Sequence, residues 1–277
     1  MDLYSKVCYD CSKLITNSYS TSFSLGIRMF ASELRLPIYA IYGFVRFADE
    51  IVDTFHDKDK ERLLSDFRLD TFRAISDKIS LNPVLHCFQE VVHNYNIDDH
   101  LIEAFLDSME MDLNQTIFNE ADLSKYIYGS AEVVGLMCLK VFLKGNYAEY
   151  DQLKGSAQAL GSAFQKINFL RDMKSDYLER GRVYFPNVNF DNFTQEEKAI
   201  IERDIEAEFK RGYEGILKLP KSSRLGVYCA YKYYLNLFYK IRALSANVVK
   251  EQRIRVSDKR KIYLLTTSAF QNKFGMI

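Results

Sequence analysis

Two groups of acidic side chains have the spacing of a metal-and-phosphate site. In Asp49-Glu50-Ile51-Val52-Asp53 the first and last carboxylates stand four residues apart, which puts them on one helix face about one turn from each other. Hard oxygen ligands so placed suit Mg²⁺. Like charges that close need a counter-charge, and Arg46 lies three residues before Asp49 on the stripe that also carries Tyr42. The second group is Gln165-Lys-Ile-Asn168-Phe-Leu-Arg171-Asp172-Met-Lys-Ser-Asp176, where Asn168, Asp172 and Asp176 recur every four residues with Gln165 three before them. Four oxygen-bearing side chains therefore line one face of one helix. Ile167, Phe169 and Leu170 are interleaved, the pattern of a polar face that looks into an enclosed space. Mg²⁺ is commonly held by one or two carboxylates together with substrate phosphates, so two such faces on separate helices suit a diphosphate substrate better than a closed protein cage. Taken singly, a D-x-x-x-D is common on solvated helix ends.

Other segments carry weaker signals. Asn17-Ser18-Tyr19-Ser20-Thr21-Ser22-Phe23 is rich in hydroxyls, which bond phosphate oxygens or, as commonly, cap helices and shape turns. Tyr126-Ile-Tyr128-Gly129-Ser130-Ala131-Glu-Val-Val134-Gly135 places two glycines within an apolar run. Each costs a helix about 1 kcal/mol relative to alanine, which close helix packing or room for an apolar chain would explain. Cys8 and Cys11 form one C-x-x-C without a second pair, and the five cysteines fit a reducing compartment better than a disulfide framework. Glu90-Val-Val-His93 is a lone E-x-x-H, whereas a di-iron bundle needs two and further glutamates.

The elements that must position these residues are helices. Apolar residues recur at three- and four-residue spacings from Leu3 to Leu25, Pro37 to Val52, Glu61 to Ile79, Pro83 to Tyr95, His100 to Leu113, Leu123 to Leu143, Tyr147 to Leu178, Glu196 to Leu217 and Leu225 to Val249. This predicts about nine helices. Asn82-Pro83 reads as an N-cap and first helical residue, and Thr194-Gln195-Glu196-Glu197 as a capping box. Strand-like alternation is confined to Arg182 to Phe190. The expected fold is all-α, one domain over residues 1–277, with helices around a central cavity to which 19 Tyr and 20 Phe give aromatic walls. No apolar run approaches the roughly 18 residues of a membrane span, and Met1-Asp2-Leu3-Tyr4 lacks a basic, apolar leader, so the expected compartment is the cytoplasm. Lys+Arg equals Asp+Glu at 37 each, which removes nucleic acid as the default partner. Between Lys240 and Lys261, however, eight basic residues face two acidic ones, a segment that could meet phosphates.

The two acidic motifs, Ser20-Thr21-Ser22-Phe23, the Tyr126 to Gly135 segment and Arg182-Val-Tyr-Phe-Pro186 together resemble the squalene and phytoene synthase family over essentially the whole chain. The wording of Tyr42-Gly-Phe-Val-Arg-Phe-Ala-Asp-Glu-Ile-Val-Asp53 and of Ile167 to Asp176 is most similar to the bacterial phytoene synthases of carotenoid pathways. The resemblance implies an isoprenoid-synthase fold and a head-to-head joining of two prenyl diphosphates. On that pattern Asp49, Asp53, Asn168, Asp172 and Asp176 bind Mg²⁺, with Mn²⁺ as a substitute. Ser20, Ser22, Arg46 and Arg171 hold diphosphate; Phe23, Val134, Gly135 and Gln165 line the site; and Tyr42, Tyr126 and Tyr234 stand near the reacting carbons. Arg253 and Arg255 resemble a C-terminal Arg-x-Arg that contacts a diphosphate or covers the site. The stretch Tyr177 to Gly181 is spaced differently from the family pattern, so no role follows for Arg180.

The implied chemistry is ionisation of an allylic diphosphate in a water-excluding cavity, with Mg²⁺ neutralising the leaving group and aromatic faces stabilising the cation. Attack by the second prenyl chain gives a cyclopropylcarbinyl diphosphate, which on this reading is prephytoene diphosphate. A second ionisation and proton loss to diphosphate or a tyrosine then gives phytoene. Formation of squalene would add a hydride transfer; no Gly-rich dinucleotide fingerprint is present, and no NADPH requirement is expected. The choice of C15 or C20 substrate is expected to depend on cavity depth and on side chains such as Ile27 and Tyr39. A non-catalytic relative serving as an assembly factor is the alternative of another class, set against the presence of all four aspartates. No obligate protein partner is expected. Transient contact with the inner membrane face through the basic C-terminal segment is expected.

Overall fold

The computed structural model describes residues 1–186 and 188–274. Within them the backbone forms thirteen α-helices, one π-helical turn and no β-strand, apart from an isolated parallel bridge between Ile117 and Val183. The alternating segment that begins at Arg182 is therefore an extended connection and not a strand; a single ladder partner supplies too few hydrogen bonds to build one.

The N-terminal apolar run, read as one helix, is two: α1 (Leu3–Tyr19) and α2 (Thr21–Ile27). The break is Ser20, which is extended at φ −146° and ψ 99° and whose hydroxyl accepts the Phe23 N–H at 3.2 Å, capping α2. The next helix, α3 (Ser32–Asp53), starts a full turn before Pro37 and absorbs that proline inside it. It carries the first acidic motif at its C-terminal end. There follow α4 (Lys60–Asp77), α5 (Pro83–Tyr95) and α6 (Asp99–Asn114). Asn82 caps α5 as its sequence predicts, accepting from the amides of Val84 and Leu85.

α7 (Glu120–Ile127), the π-turn Tyr128–Glu132 and α8 (Val133–Leu143) form one continuous helical stretch. It includes an 18-residue window of mean hydropathy 1.4, long and apolar enough to cross a membrane by length and composition, although Glu132 and Lys140 interrupt the apolar run. Most of that window, 61%, is buried inside the fold, so packing accounts for its apolarity. At the π-turn Gly129 meets the carbonyl of Ala104 and the side chain of Ser108 on α6 with no space for a Cβ.

The longest helix is α9 (Tyr147–Arg180), 34 residues that carry the second acidic motif near the C-terminal end. Then come α10 (Gln195–Ile216), opened by the Thr194/Glu197 capping box, and α11 (Lys221–Arg242). The apolar run read as continuing to Val249 breaks at a turn after Arg242 into α12 (Ala246–Glu251). A thirteenth helix, α13 (Asp258–Lys273), was not anticipated and packs on α11.

Two hydrophobic clusters hold these helices. One joins α1, α3, α4, α5, α6 and α8 around a ring stack of Phe44 on Phe88 at 4.0 Å. The other joins the inner faces of α7, α9, α10, α11 and α12. α8 and α9 press together along their length, and between the two clusters lies a cavity of about 440 Å³.

Candidate active site

The two acidic motifs face each other across α3 and α9 at one end of the cavity. Arg180 joins them, its Nε 3.3 Å from Asp53 and one terminal nitrogen 2.9 Å from Asp176. Other guanidinium groups complete the array. Arg46 pairs with Glu50 and stands 3.8 Å from Asp49, its guanidinium 4.3 Å over the Tyr19 ring. Arg171 pairs with Asp172, and Arg253 reaches the same carboxylate from the C-terminal segment at 2.8 Å. Arg255, by contrast, is exposed and presents its carbonyl to Lys240 at 2.6 Å.

Confinement raises the cost of charge here. Burial pushes the Asp49 carboxyl up to about 7 against the opposing pull of Arg46, with Asp53 adding repulsion. Burial likewise pushes Asp176 up to about 6, with Asp172 beside it and Arg180 opposing. The buried Oδ1 of Asp53 makes no hydrogen bond and faces Arg180 at 3.3 Å and Arg182 at 3.6 Å. Desolvated carboxylates balanced by guanidinium groups fit a hard divalent cation. Among the described residues no three His, Cys, Asp or Glu side chains surround one point, so the fit is one or two carboxylates per ion, completed by substrate phosphates. Glu90 and His93 do not act together: Glu90 accepts from Ser5 at 2.6 Å, and the His93 ring is 2.8 Å from the Ile75 carbonyl.

From the acidic end the cavity runs along α9. Arg171 and Leu153 both line it, eighteen residues apart, a span of about 27 Å at 1.5 Å per residue. At the mouth its polar lining is Ser20, Ser22, Gln165 and Arg171, with Tyr42 and Tyr234, and Ser130 and Ser156 line it farther in. Tyr42 stacks on Phe23 at 4.7 Å, and Tyr234 on Phe164 at 4.0 Å. Asn168 accepts from the Tyr234 hydroxyl at 3.3 Å and donates to Gln165 at 3.4 Å, fixing three of the anticipated residues in one chain. Val134 and Gly135 line the wall farther in, where a Cβ on Gly135 would stand 3.3 Å from the Ala157 carbonyl, so close packing against α9 is the use of that glycine. The far end is closed by Phe30 and Phe142, ring centroids 5.0 Å apart, with Ile38 and Leu153. Ile27 lines the cavity, whereas Tyr39 is 3% exposed within the first cluster and is not among the lining residues.

Tyr126 is also outside the lining. It is buried against Phe118, Phe169 and Tyr184, and its hydroxyl donates to Asp112 at 2.8 Å. Asp112, on α6, was not anticipated. It receives Arg182 at 3.1 Å and the Tyr184 hydroxyl at 3.3 Å, while Arg182 also lies 3.6 Å from Asp53. Burial pushes the Asp112 carboxyl up to about 6 against the pull of Arg182. Tyr126 and Asp112 thus reach the acidic motif through Arg182, one layer behind it.

A sequence profile described as squalene/phytoene synthase matches residues 16–260. The chloroplastic phytoene synthase of Narcissus pseudonarcissus is 26% identical over 87% of this chain and 61% of its own length, so the chain spans about three fifths of that relative. The presqualene diphosphate synthase of Zymomonas mobilis is 32% identical over 74% of this chain and 67% of its own length. Among solved structures, a dehydrosqualene synthase in complex with ligand superposes with a TM-score of 0.81 at 22% identity, covering 97% of this chain and 98% of that one. With the profile spanning most of the residues and the fold matching end to end, the chain belongs to the squalene/phytoene synthase family.

Proposed function

We propose that the chain joins two prenyl diphosphates head to head, and that its substrate is geranylgeranyl diphosphate and its product phytoene. The observation that carries the reading is the meeting of two acidic helix faces, through Arg180, at the mouth of a long apolar cavity. Asp49, Asp53, Asn168, Asp172 and Asp176 would hold Mg²⁺, which when bound supplies the positive charge that lets diphosphate leave.

The chain's own residues do the rest. Ser20, Ser22, Arg46 and Arg171 orient the diphosphates at the mouth, which leaves the hydrocarbon tails in the apolar interior. Water is kept from the reacting carbons by that interior. The faces of Tyr42, Phe164 and Tyr234 stand where an allylic cation would form and stabilise it through their quadrupoles. The first condensation forms a cyclopropane and releases one diphosphate and one proton; the second ionisation and rearrangement releases the other diphosphate and a second proton. Burial raises the hydroxyl pKa values of Tyr42 and Tyr234, which favours released diphosphate over either tyrosine as the proton acceptor.

The C40 reading draws on the similarity to phytoene synthases. Formation of a C30 product from farnesyl diphosphate is the second reading, favoured by the presqualene diphosphate synthase relative. Purified protein with Mg²⁺ and each substrate, with and without NADPH, separates them by the mass of the hydrocarbon. A C40 product without NADPH is expected; a C30 product corrects the substrate and keeps the mechanism.

A further inference from the structure

The connection between α3 and α4, residues 54–59, is exposed throughout, and the residue that follows it turns back into the fold. Lys60, the first residue of α4, is partly buried, and its ammonium donates to the Val52 carbonyl of α3 at 2.7 Å. It also lies 3.1 Å from Nδ1 of His56, which accepts, since an ammonium has no lone pair to offer. The groups that hold Lys60 are thus a carbonyl and a neutral imidazole. Its charged neighbours belong to the acidic motifs: burial pulls its pKa down against the pull of Asp53, and Arg182 and Arg180 add to the fall.

Two helix ends act on this ammonium in opposite senses. The last carbonyls of α3 attract it, whereas the first turn of α4, the positive end of a helix dipole, disfavours a cation. The net gain in stability is therefore small, and the effect of the contact is geometric. Val52 stands in the last turn of α3, where carbonyls run out of amides from their own helix. The His56 amide, which would continue the ladder to Val52, turns instead to the Thr54 carbonyl at 2.9 Å. Lys60 supplies the missing donor from eight residues on and so ties the end of α3 to the start of α4. The residue after Val52 is Asp53, whose carboxylate faces Arg180 and Arg182.

We propose that Lys60 is a positioning residue for the first acidic motif: through the Val52 carbonyl it fixes the last turn of α3, and with it the direction in which Asp53 meets a divalent cation. The proposal rests on the metal-assisted reading of the site. Charge alone predicts the opposite sign. A cation beside a metal ligand repels Mg²⁺ or Mn²⁺, so removing a mere neighbour would tighten metal binding. Removing a group that orients a ligand weakens it, by about 10- to 100-fold.

Titration of the substrate-free chain with Mn²⁺, read by the electron-spin resonance of the free ion, separates the two. Lys60→Met is expected to raise the dissociation constant by at least about tenfold, with its circular dichroism at the parent level. The Mg²⁺ concentration for half-maximal turnover is expected to rise with it. Lys60→Arg, which can still donate to the carbonyl, recovers most of the loss. Tighter or unchanged binding in Lys60→Met would overturn the proposal, as would a loss that Lys60→Arg does not lessen. Because coupling is reciprocal, a measurement without any variant also decides it: Mg²⁺ should slow amide hydrogen exchange over residues 54–60 of the parent, and unchanged exchange there would contradict the tie. A parent that binds no Mn²⁺ would overturn the metal site and the role of Lys60 together. A parent that makes hydrocarbon, with Mn²⁺ binding unaltered in Lys60→Met, would remove Lys60 alone and leave the activity standing.

Discussion

Asp53 of α3 and Asp176 of α9 hold one guanidinium in common: Arg180 stands 3.3 Å from the first and 2.9 Å from the second. It occupies the place between the motifs that a divalent cation would compete for. Arg180→Ala leaves Asp176 without its closest counter-charge and Asp53 with Arg182 at 3.6 Å, and the metal-free protein is expected to lose about 1 to 2 kcal/mol, or a few degrees of melting temperature. On the proposed reading Mg²⁺ binds the folded state alone and would restore stability by mass action. The rise in melting temperature on adding Mg²⁺ should therefore be larger in the variant than in the parent. An equal or smaller rise would mean that Arg180 and the cation do not compete.

Burial pushes the Asp49 carboxyl up to about 7. A cation needs the charged form, so at limiting Mg²⁺ kcat/KM is expected to rise with pH through about 7, and the midpoint to fall as Mg²⁺ is increased. The sign for stability is opposite. Between the ordinary value of 3.8 and about 7 the folded chain keeps a proton that the unfolded chain has lost, so the contribution of Asp49 to stability falls as pH rises through that window. Melting curves of the parent and Asp49→Asn in chelator, from pH 5 to about 8, should diverge in that sense. A pH-independent difference between them would refute the assignment.

Asp112 and Arg182 are 5% and 8% exposed, and each is the other's buried counter-charge. Asp112→Asn keeps the shape and leaves Arg182 with Asp53, 3.6 Å away, as its remaining carboxylate, at a cost of about 3 kcal/mol. For a chain of this size that is a fall of roughly 6 to 12 °C in melting temperature. Since Arg182 also reaches Asp53, the Mg²⁺ concentration for half-maximal activity should rise as well. Loss of stability with unchanged Mg²⁺ dependence would restrict Asp112 to the fold.

The acidic faces of α3 and α9 were legible because a spacing of four residues on a helix fixes which side chains share a face. The all-α class followed from the same periodicity. Three features did not. Ser20 breaks an apolar run that continues through it, because a single cap bond outweighs the period locally. α13 carries Lys259, Arg260 and Lys261 in its first turn, and apolar residues on both its inner and outer faces blur the one-sided pattern that marks an ordinary helix. Asp112 looks like any acid on α6, and its partner Arg182 lies seventy residues away. Tyr126 and the pairing of Arg180 with Asp53 show the same limit, since these partners are set by how helices pack and not by spacing along one of them.

Gly26 lines the cavity on α2, and a Cβ built there meets nothing within 4 Å. Gly26→Leu should therefore fill cavity space at little cost to the fold. One methylene in an apolar pocket is worth about 10- to 200-fold in discrimination, so the ratio of kcat/KM for C20 over C15 substrate is expected to drop by at least about tenfold. In contrast, a Cβ on Gly161 would stand 2.9 Å from the Ala131 carbonyl, so Gly161→Ala should lower the melting temperature. An unchanged substrate ratio in Gly26→Leu would place the prenyl chains elsewhere.

Single-turnover quenching with geranylgeranyl diphosphate and Mg²⁺ tests the head-to-head condensation most directly. The expected record is a transient C40 species carrying one diphosphate, decaying to a C40 hydrocarbon, with two diphosphates released per hydrocarbon. Release of diphosphate with only a C20 alcohol, from protein that binds the substrate and carries all four aspartates, would contradict it.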